Sequence, residues 1–528
     1  MPILYSAATP SGVLVPPSPT TTPQTRNDVE THLDSDVLIV GAGLSGIGAV
    51  RHLQDHSPQT RWSLVEARGS LGGTWDLFRY PGVRSDSDMH TLGYAFKPWT
   101  ERKAIADGPS ILRYIQSTAD EAGITPHIQF GRQVLKADWS SAKACWNVTL
   151  KLSNGQLEHL TTRFLYLCSG YYSYTQPYQP DFEGQATFQG TWIHPQFWPS
   201  NLDYSGQKVV VIGSGATAAT LVPAMATTAA HVTMLQRSPT YMVARPAEDA
   251  LALKLQRVLP ERWAHHLTRW KNIGVGMYFF RLARKYPDKV KRHMIGLTQQ
   301  QLAPGFDTAK HFTPHYKPWD QRVCLVPNGD LFKALNAGRA SVVTDTIERI
   351  TPTGILLTSG QHLEADIIVS ATGLQLNALG DIAFSVDGLP YQPAQALAYK
   401  GMMLSDLPNV FMAMGYTNAS WTLKADLTAG YVCRLLQHMQ RHNYTQAVPR
   451  RDPQVQAQPY FDFSSGYVQR ASKVLPQQGN RQPWRVYQNY LADMVTLRWS
   501  RLDDGVMQFT VSSKAAPSSG AGGVNKAD

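Results

Sequence analysis

Two stretches of the chain repeat one arrangement of apolar and polar positions. From Asp36 the residues run Val37-Leu38-Ile39-Val40 and then Gly41-Ala42-Gly43-Leu44-Ser45-Gly46, where a helical spacing begins. From Lys208 they run Val209-Val210-Val211-Ile212 and then Gly213-Ser214-Gly215-Ala216-Thr217-Ala218. A short continuous apolar run closed by glycines predicts a strand buried on both faces, then a tight turn, then a helix. Each unit is followed by one more strand, Trp62 to Val65 in the first and His231 to Leu235 in the second. Between Lys208 and Arg237 there is no Asp, Glu, Lys or Arg, so hydropathy alone would suggest a membrane span. Gly213, Gly215, Pro223 and the many Thr and Ala residues predict a buried strand, turn and helix instead, with Pro223 disturbing the helix.

The turns carry candidate chemistry. In a strand–glycine–helix unit the first glycine makes the turn, the second lets a pyrophosphate approach the backbone, and the third packs helix on strand. Gly41, Gly43 and Gly46 fill these places in the first unit, and Gly213, Gly215 and Ala218 in the second, with Ser45 and Thr217 inside the two turns. The residue closing the second strand then separates two cofactors. Glu66 stands 25 residues past Gly41, where a carboxylate bonds ribose hydroxyls. Gln236 and Arg237 stand at the matching place, Arg237 being 24 residues past Gly213, where a cation attracts a 2′-phosphate that a carboxylate would repel. The first site therefore fits FAD and the second NADPH. The fold class expected is α/β with two dinucleotide-binding (Rossmann-like) domains.

Composition narrows the class further. At 528 residues, with 43% hydrophobic and 17% charged positions, the chain is a multi-domain globular protein and not a mainly disordered or fibrous one. Cys145, Cys168, Cys324 and Cys433 are scattered without a CxxC pair, so neither a metal site nor a disulfide framework is expected, and a reducing, cytoplasmic setting fits. A disulfide reductase would need a cysteine pair soon after the first glycine turn, and none precedes Cys145. The formal charge of +10 suits polyphosphate cofactors; no nucleic-acid partner is expected. One basic stretch, Arg269 to Arg292, reads as a solvated helix face, and its interleaved aromatics make peripheral membrane contact a second reading. Residues 1–33 and 511–528 read as a disordered extension and tail, with no secretory leader pattern.

Two further signatures resemble a known family. Phe188-Gln189-Gly190-Thr191-Trp192-Ile193-His194-Pro195-Gln196-Phe197-Trp198-Pro199 matches the FxGxxxHxxxWP fingerprint of the Baeyer–Villiger monooxygenases, and Gly72-Gly73-Thr74-Trp75, Tyr80-Pro81-Gly82 and Asp86 match their GGxWxxxx(F/Y)PGxxxD pattern. Stretches 79–90, 315–332 and 415–426 look most like the ethionamide-activating subgroup.

The resemblance implies a discontinuous FAD-binding domain (34–173 and 373–510), an NADPH-binding domain (174–245 and 321–372) and a helical insertion at 246–320 inside the latter. It implies Gly73, Trp75 and Asp86 as added FAD contacts, with Tyr80 beside them. Arg322 would be the catalytic cation and Asp86 its orienting partner, with Asp88 competing for that place. His194 would couple NADP binding to domain arrangement. The implied reaction consumes NADPH and O₂, forms a C4a-peroxyflavin and turns a ketone into an ester or lactone, with sulfide oxygenation as a side activity. A flavin N- or S-oxygenase acting on amines or sulfides is the alternative, separated by the Trp198-Pro199 ending and the Asp86/Arg322 pair. An NADPH-binding protein without catalysis is disfavoured by Glu66 and the Gly72–Trp75 segment, which imply bound flavin.

Overall fold

A computed structural model of the chain describes residues 33–321, 323–377, 379–461 and 466–511. The extension expected over 1–33, except Leu33, and the tail over 511–528, except Val511, lie outside the described residues, and so does Arg322.

Each apolar run becomes a strand with a parallel neighbour on both sides. β1 (Ser35–Val40) pairs in parallel with β2 (Trp62–Val65) on one side. β3 (Arg132–Ser140), β4 (Cys145–Leu152) and β5 (Leu157–Leu167) form an antiparallel meander. The second half of β5 then runs parallel to β1. Side chains of β1 alternate between two cores, Val37 and Ile39 on one face and Leu38 and Val40 on the other. A strand covered on both faces needs apolar residues at every position, which is the run seen in the sequence. Ala383–Val386 joins β3 in parallel and Val410–Met412 joins β5 in parallel, so this nine-stranded sheet takes strands from both ends of the chain.

The smaller sheet has five strands in the order β9 (Ala340–Thr344), β8 (His231–Gln236), β7 (Lys208–Ile212), β10 (Ile367–Ser370), β6 (Thr191–Ile193), all parallel. Val209 and Val211 face one core and Val210 and Ile212 the other, repeating the logic of β1. Burying such a side chain contributes about 1.5–3 kcal/mol.

Helix α1 (Leu44–His56) follows the first glycine turn and packs against the long buried helix of residues Trp421–Arg441. Helix α2 (Ala216–Met225) follows the second turn and continues past Pro223. Proline has no N–H to give the carbonyl four residues back. That carbonyl, Ala219, accepts a bond from the Arg84 guanidinium at 3.3 Å instead, and the other arm of Arg84 pairs with Asp330. The Tyr80–Asp86 segment is thereby fastened to α2 at Ala219. Gly82 makes the close approach, since a Cβ there would stand 2.5 Å from the Thr220 carbonyl oxygen.

Tyr241–Arg245 pairs in parallel with Val323–Pro327, so the chain leaves and re-enters this region side by side. Between them stand the helices Ala250–Val258, α3 (Glu261–Lys285) and Pro287–Gln299. The basic stretch beginning at Arg269 is not one solvated face. Arg269 is buried, donating to the carbonyls of His90 (3.0 Å), Thr91 (3.3 Å) and Gly93 (2.7 Å) and to Asp426 (3.2 Å). Lys271 pairs with Asp249, and Arg284 with Asp320 at 2.8 Å. Composition counts charge but does not reveal that carbonyls left free at a short helix will draw a guanidinium inward. Among the described residues no helix is long and apolar enough to cross a membrane.

Candidate active site

Both glycine turns are closed by the same device. Gly41 has φ of 105°, and a Cβ on it would lie 2.6 Å from the carbonyl oxygen of Cys168, just past the end of β5. Gly213 has φ of 139°, and its Cβ would lie 2.4 Å from the carbonyl oxygen of Ala371, just past the end of β10. Only glycine accepts such backbone. Gly43 and Gly73 bring two backbones together, a Cβ on Gly43 reaching the Gly73 Cα at 3.5 Å. Gly46 and Ala218 lie behind the turns as packing positions; Gly41, Gly43, Gly213 and Gly215 line the open space in front.

That space is a single cavity of about 1060 Å³ reaching both turns. Ser45, Glu66, Gly73, Trp75, Tyr80, Asp86, Thr217 and Arg237 also line it. Glu66 is buried, its two carboxylate oxygens accepting from the N–H of Ala42 (2.8 Å) and of Arg68 (2.9 Å). The carboxylate is held at the turn with lone pairs to spare for a ribose. At the second site the structure separates the two candidates. Gln236 is buried and its amide donates to the His311 carbonyl (2.7 Å) and to Thr344 (2.8 Å), while Arg237 is exposed to the cavity.

Asp86 and Asp88 part in the same way. Asp88 caps the helix Met89–Leu92 by accepting from the Thr91 N–H, and it also takes bonds from the Thr91 hydroxyl and the Asn272 amide. Asp86 faces the cavity. Gln321 and Cys324, on either side of Arg322, line it as well.

The chain matches the flavin-binding monooxygenase-like family model over residues 103–414 and an NAD(P)-binding Rossmann-like domain model over 39–102. It is 53% identical over 476 residues to the FAD-containing monooxygenase EthA of Mycobacterium tuberculosis (strain ATCC 25618 / H37Rv), covering 90% of this chain and 97% of that one. It belongs to the flavin-binding monooxygenase-like family. It is a flavoprotein monooxygenase with the Rossmann-like fold of the Baeyer–Villiger type. Among solved structures, OTEMO in complex with FAD and NADP superposes with a TM-score of 0.63 at 22% identity, over 79% of this chain and 88% of that one. Cyclohexanone monooxygenase from Rhodococcus sp. Phi1 bound to NADP⁺ gives 0.66 at 21%, over 79% and 86%. At such identity the likeness carries the fold.

The cavity of this family member fits a flavin dinucleotide on its own evidence. Gly41, Gly43 and Gly73 bring backbone without side chains to the cavity wall, the last two packed against each other, and the held carboxylate of Glu66 lines the same wall. The second turn is the more open, since a Cβ on Gly215 would meet nothing within 4 Å. His194 does not line the cavity. It is buried at the junction of the two sheets, its Nδ1 accepting from the Gln196 N–H at 3.2 Å, and the Gln196 amide donates to the Ser173 carbonyl at 2.9 Å. Burial lowers the His194 pKa, against a smaller upward influence of the backbone at Gly373 and Tyr178.

Several lining residues were not marked by the sequence reading. Trp421 donates its indole N–H to Ser45 at 2.9 Å and stacks on Tyr171 with ring centres 4.7 Å apart. Tyr416 donates to Asp493 at 2.7 Å, and the buried Lys424 ammonium pairs with the same carboxylate at 2.7 Å. Burial pushes the Tyr416 phenol up and the Lys424 ammonium down. Both residues lie in the 415–426 stretch that carries the family likeness, which was the available signal.

Proposed function

We propose that this monooxygenase consumes NADPH and O₂ to convert ketones to esters or lactones, with oxygenation of soft sulfur as a side activity. The observation that carries the reading is the single cavity in which the first turn with Glu66, the second turn with Arg237, and Asp86 all meet. A hydride donor and a flavin must be brought against one another in a site that sheds water, and a shared cavity between two dinucleotide turns serves that need.

In this reading Gly41, Gly43, Ser45, Gly46, Glu66, Gly73 and Trp75 hold FAD. Gly213, Gly215, Thr217, Ala218 and Arg237 hold NADPH, with Arg237 on the 2′-phosphate. FAD, when bound, accepts hydride from the nicotinamide and activates O₂. Arg322 stabilises the negative charge that grows on the carbonyl oxygen of the substrate, as preorganised cations do in oxyanion sites, and Asp86 keeps that cation in place. His194 fixes the junction through Gln196 and the backbone of Ser173. The chain divides into an FAD-binding domain (34–173 and 373–510) and an NADPH-binding domain (174–245 and 321–372) with a helical insertion at 246–320. The strands that both ends of the chain give to the larger sheet support that division.

The test is a panel of linear, cyclic and aryl ketones under labelled O₂, scored by mass spectrometry. One labelled atom beside the former carbonyl carbon is the expected result. Only S- or N-oxides across the panel would replace the reading with the heteroatom oxygenase.

A further inference from the structure

Helix α3 presents to solvent a stripe that no other part of the described chain covers. Trp263, Leu267, Trp270 and Tyr278 recur at helical spacing, with exposures of 65%, 48%, 45% and 62%. Phe279 and Val275 stand beside them, also exposed. Edge to face with Trp270 is Tyr490, the first residue of the helix Tyr490–Arg498; Leu491 and Val495 of that helix and Trp499, which caps it, are a second exposed apolar group. Large rings gathered this way on a protein surface mark an interaction site.

We propose that this face docks on a bilayer surface containing anionic lipid. The argument rests on charge and side-chain type together. Continuing the stripe along α3 are Arg281 and Lys285, both exposed, and Lys289 and Arg292 follow on the next helix. Lys285 and Lys289 lie over the ring of the exposed Tyr286, at 5.2 and 5.5 Å, which keeps their ammonium groups beside the aromatic surface. Glu261 and Asp288 are the acids of these two helices. Indole and phenol rings bury an apolar body and keep a polar edge wet, which is the demand of the headgroup region, and a cationic rim adds attraction to anionic lipid. The stripe is a ridge on one helix, a shape suited to a deformable interface more than to a rigid partner. The cations that do the work are Arg281, Lys285, Lys289 and Arg292. Arg269, Lys271 and Arg284 are spent on internal partners.

The test is co-sedimentation of the FAD-loaded full chain with vesicles of phosphatidylcholine alone or with about a third phosphatidylglycerol. Binding to the anionic vesicles is expected, at least about tenfold weaker on phosphatidylcholine and weakened by about 0.5 M salt. A Trp263→Gln, Tyr278→Gln variant and an Arg281→Glu, Lys285→Glu variant should each lose binding about tenfold while keeping flavin absorbance and melting temperature. No binding to either vesicle, or binding that both variants retain in full, overturns the proposal. A wild-type dimer in sedimentation equilibrium that Trp263→Gln, Tyr278→Gln converts to monomer, with no vesicle binding, assigns the face to a second copy of the chain and overturns it equally.

Discussion

At Gly46 an added Cβ would stand 1.9 Å from the carbonyl oxygen of Gly41, whereas the matching position of the second unit, Ala218, already carries one and is fully buried. The first helix thus sits closer on its turn than the second does. Other contacts follow the same direction. Trp421, far along the chain, reaches Ser45 inside the first turn, and Glu66 is fixed by two backbone N–H groups. In the second unit Ser214 bonds Thr240 and the Ser238 carbonyl, yet a Cβ on Gly215 would meet open space and Arg237 is exposed without an ion pair among the described residues. One turn is clamped from several segments and the other is left accessible. The difference suits a cofactor kept through every cycle and a nucleotide that enters and leaves.

The strongest way to break this comparison is to crowd both turns. Gly46→Ala must push the α1 backbone off Gly41, and we expect a loss of about 3 kcal/mol or more in stability together with loss of bound FAD, read from flavin absorbance and thermal melting. Gly213→Ala forces strained backbone against Ala371 and should abolish flavin reduction by NADPH while FAD stays bound. Equal loss of FAD in both variants would show that the turns are not independent. Next in size is the cation proposed for the substrate carbonyl. Arg322→Ala should retain FAD and lower ester formation by about a hundredfold, about 3 kcal/mol, the loss typical of one preorganised donor. Asp86→Asn should cost less, because the role proposed for Asp86 is to orient that cation. An Arg322→Ala enzyme that still makes ester at the normal rate would remove the proposed role.

How far the sequence could lead depends on the kind of contact. The strands and turns were legible because a strand covered on both faces must be apolar at every residue, and because φ near 105° or 139° admits glycine alone. Asp88 could not be told from Asp86, since a helix cap accepts from a backbone N–H three residues on and both positions have one, at Thr91 and at Met89. What stayed hidden were partners distant in the chain. Nothing near Pro223 announces that Arg84 takes the carbonyl it frees, and nothing near Ser45 announces Trp421. Arg269 departs from the solvated face its sequence suggests for a related reason: its burial depends on three carbonyls about 180 residues earlier in the chain.

Smaller effects sharpen the contrast at the open turn. Arg237→Ala should raise the KM for NADPH by about tenfold or more, the loss of a charge-assisted bond to phosphate, and leave the KM for NADH nearly unmoved. Parallel changes for both nucleotides would deny Arg237 the 2′-phosphate. The junction between the units should respond to acid. Because burial lowers the pKa of His194 below its ordinary 6.5, the unfolded chain takes up a proton that the fold resists. The resulting penalty is absent above pH 6.5 and grows as pH falls from there toward the lowered value. His194→Gln should lessen that slope in thermal melts without removing it, because burial lowers His90, His265, His311 and His438 as well; an unchanged slope would deny His194 a share.

The smallest expected effect is the most direct check on the difference between the helices. Ala218→Gly gives the second unit the residue type found in the first. If α2 has room for the methyl group, its removal gains no closer packing and leaves only the cost of glycine in a helix, about 1 kcal/mol plus the lost burial of one methyl. Melting temperature should fall slightly, FAD should stay bound, and the KM for NADPH should change by less than about twofold. The reciprocal change, Gly46→Ala, is expected to be severe, so the asymmetry between two exchanges of the same pair of residues measures how differently the helices sit. Should Ala218→Gly stabilise the protein or tighten NADPH, the alanine would be straining its turn, and the second unit would have to be regarded as a loosened copy of the first that a single methyl group holds open.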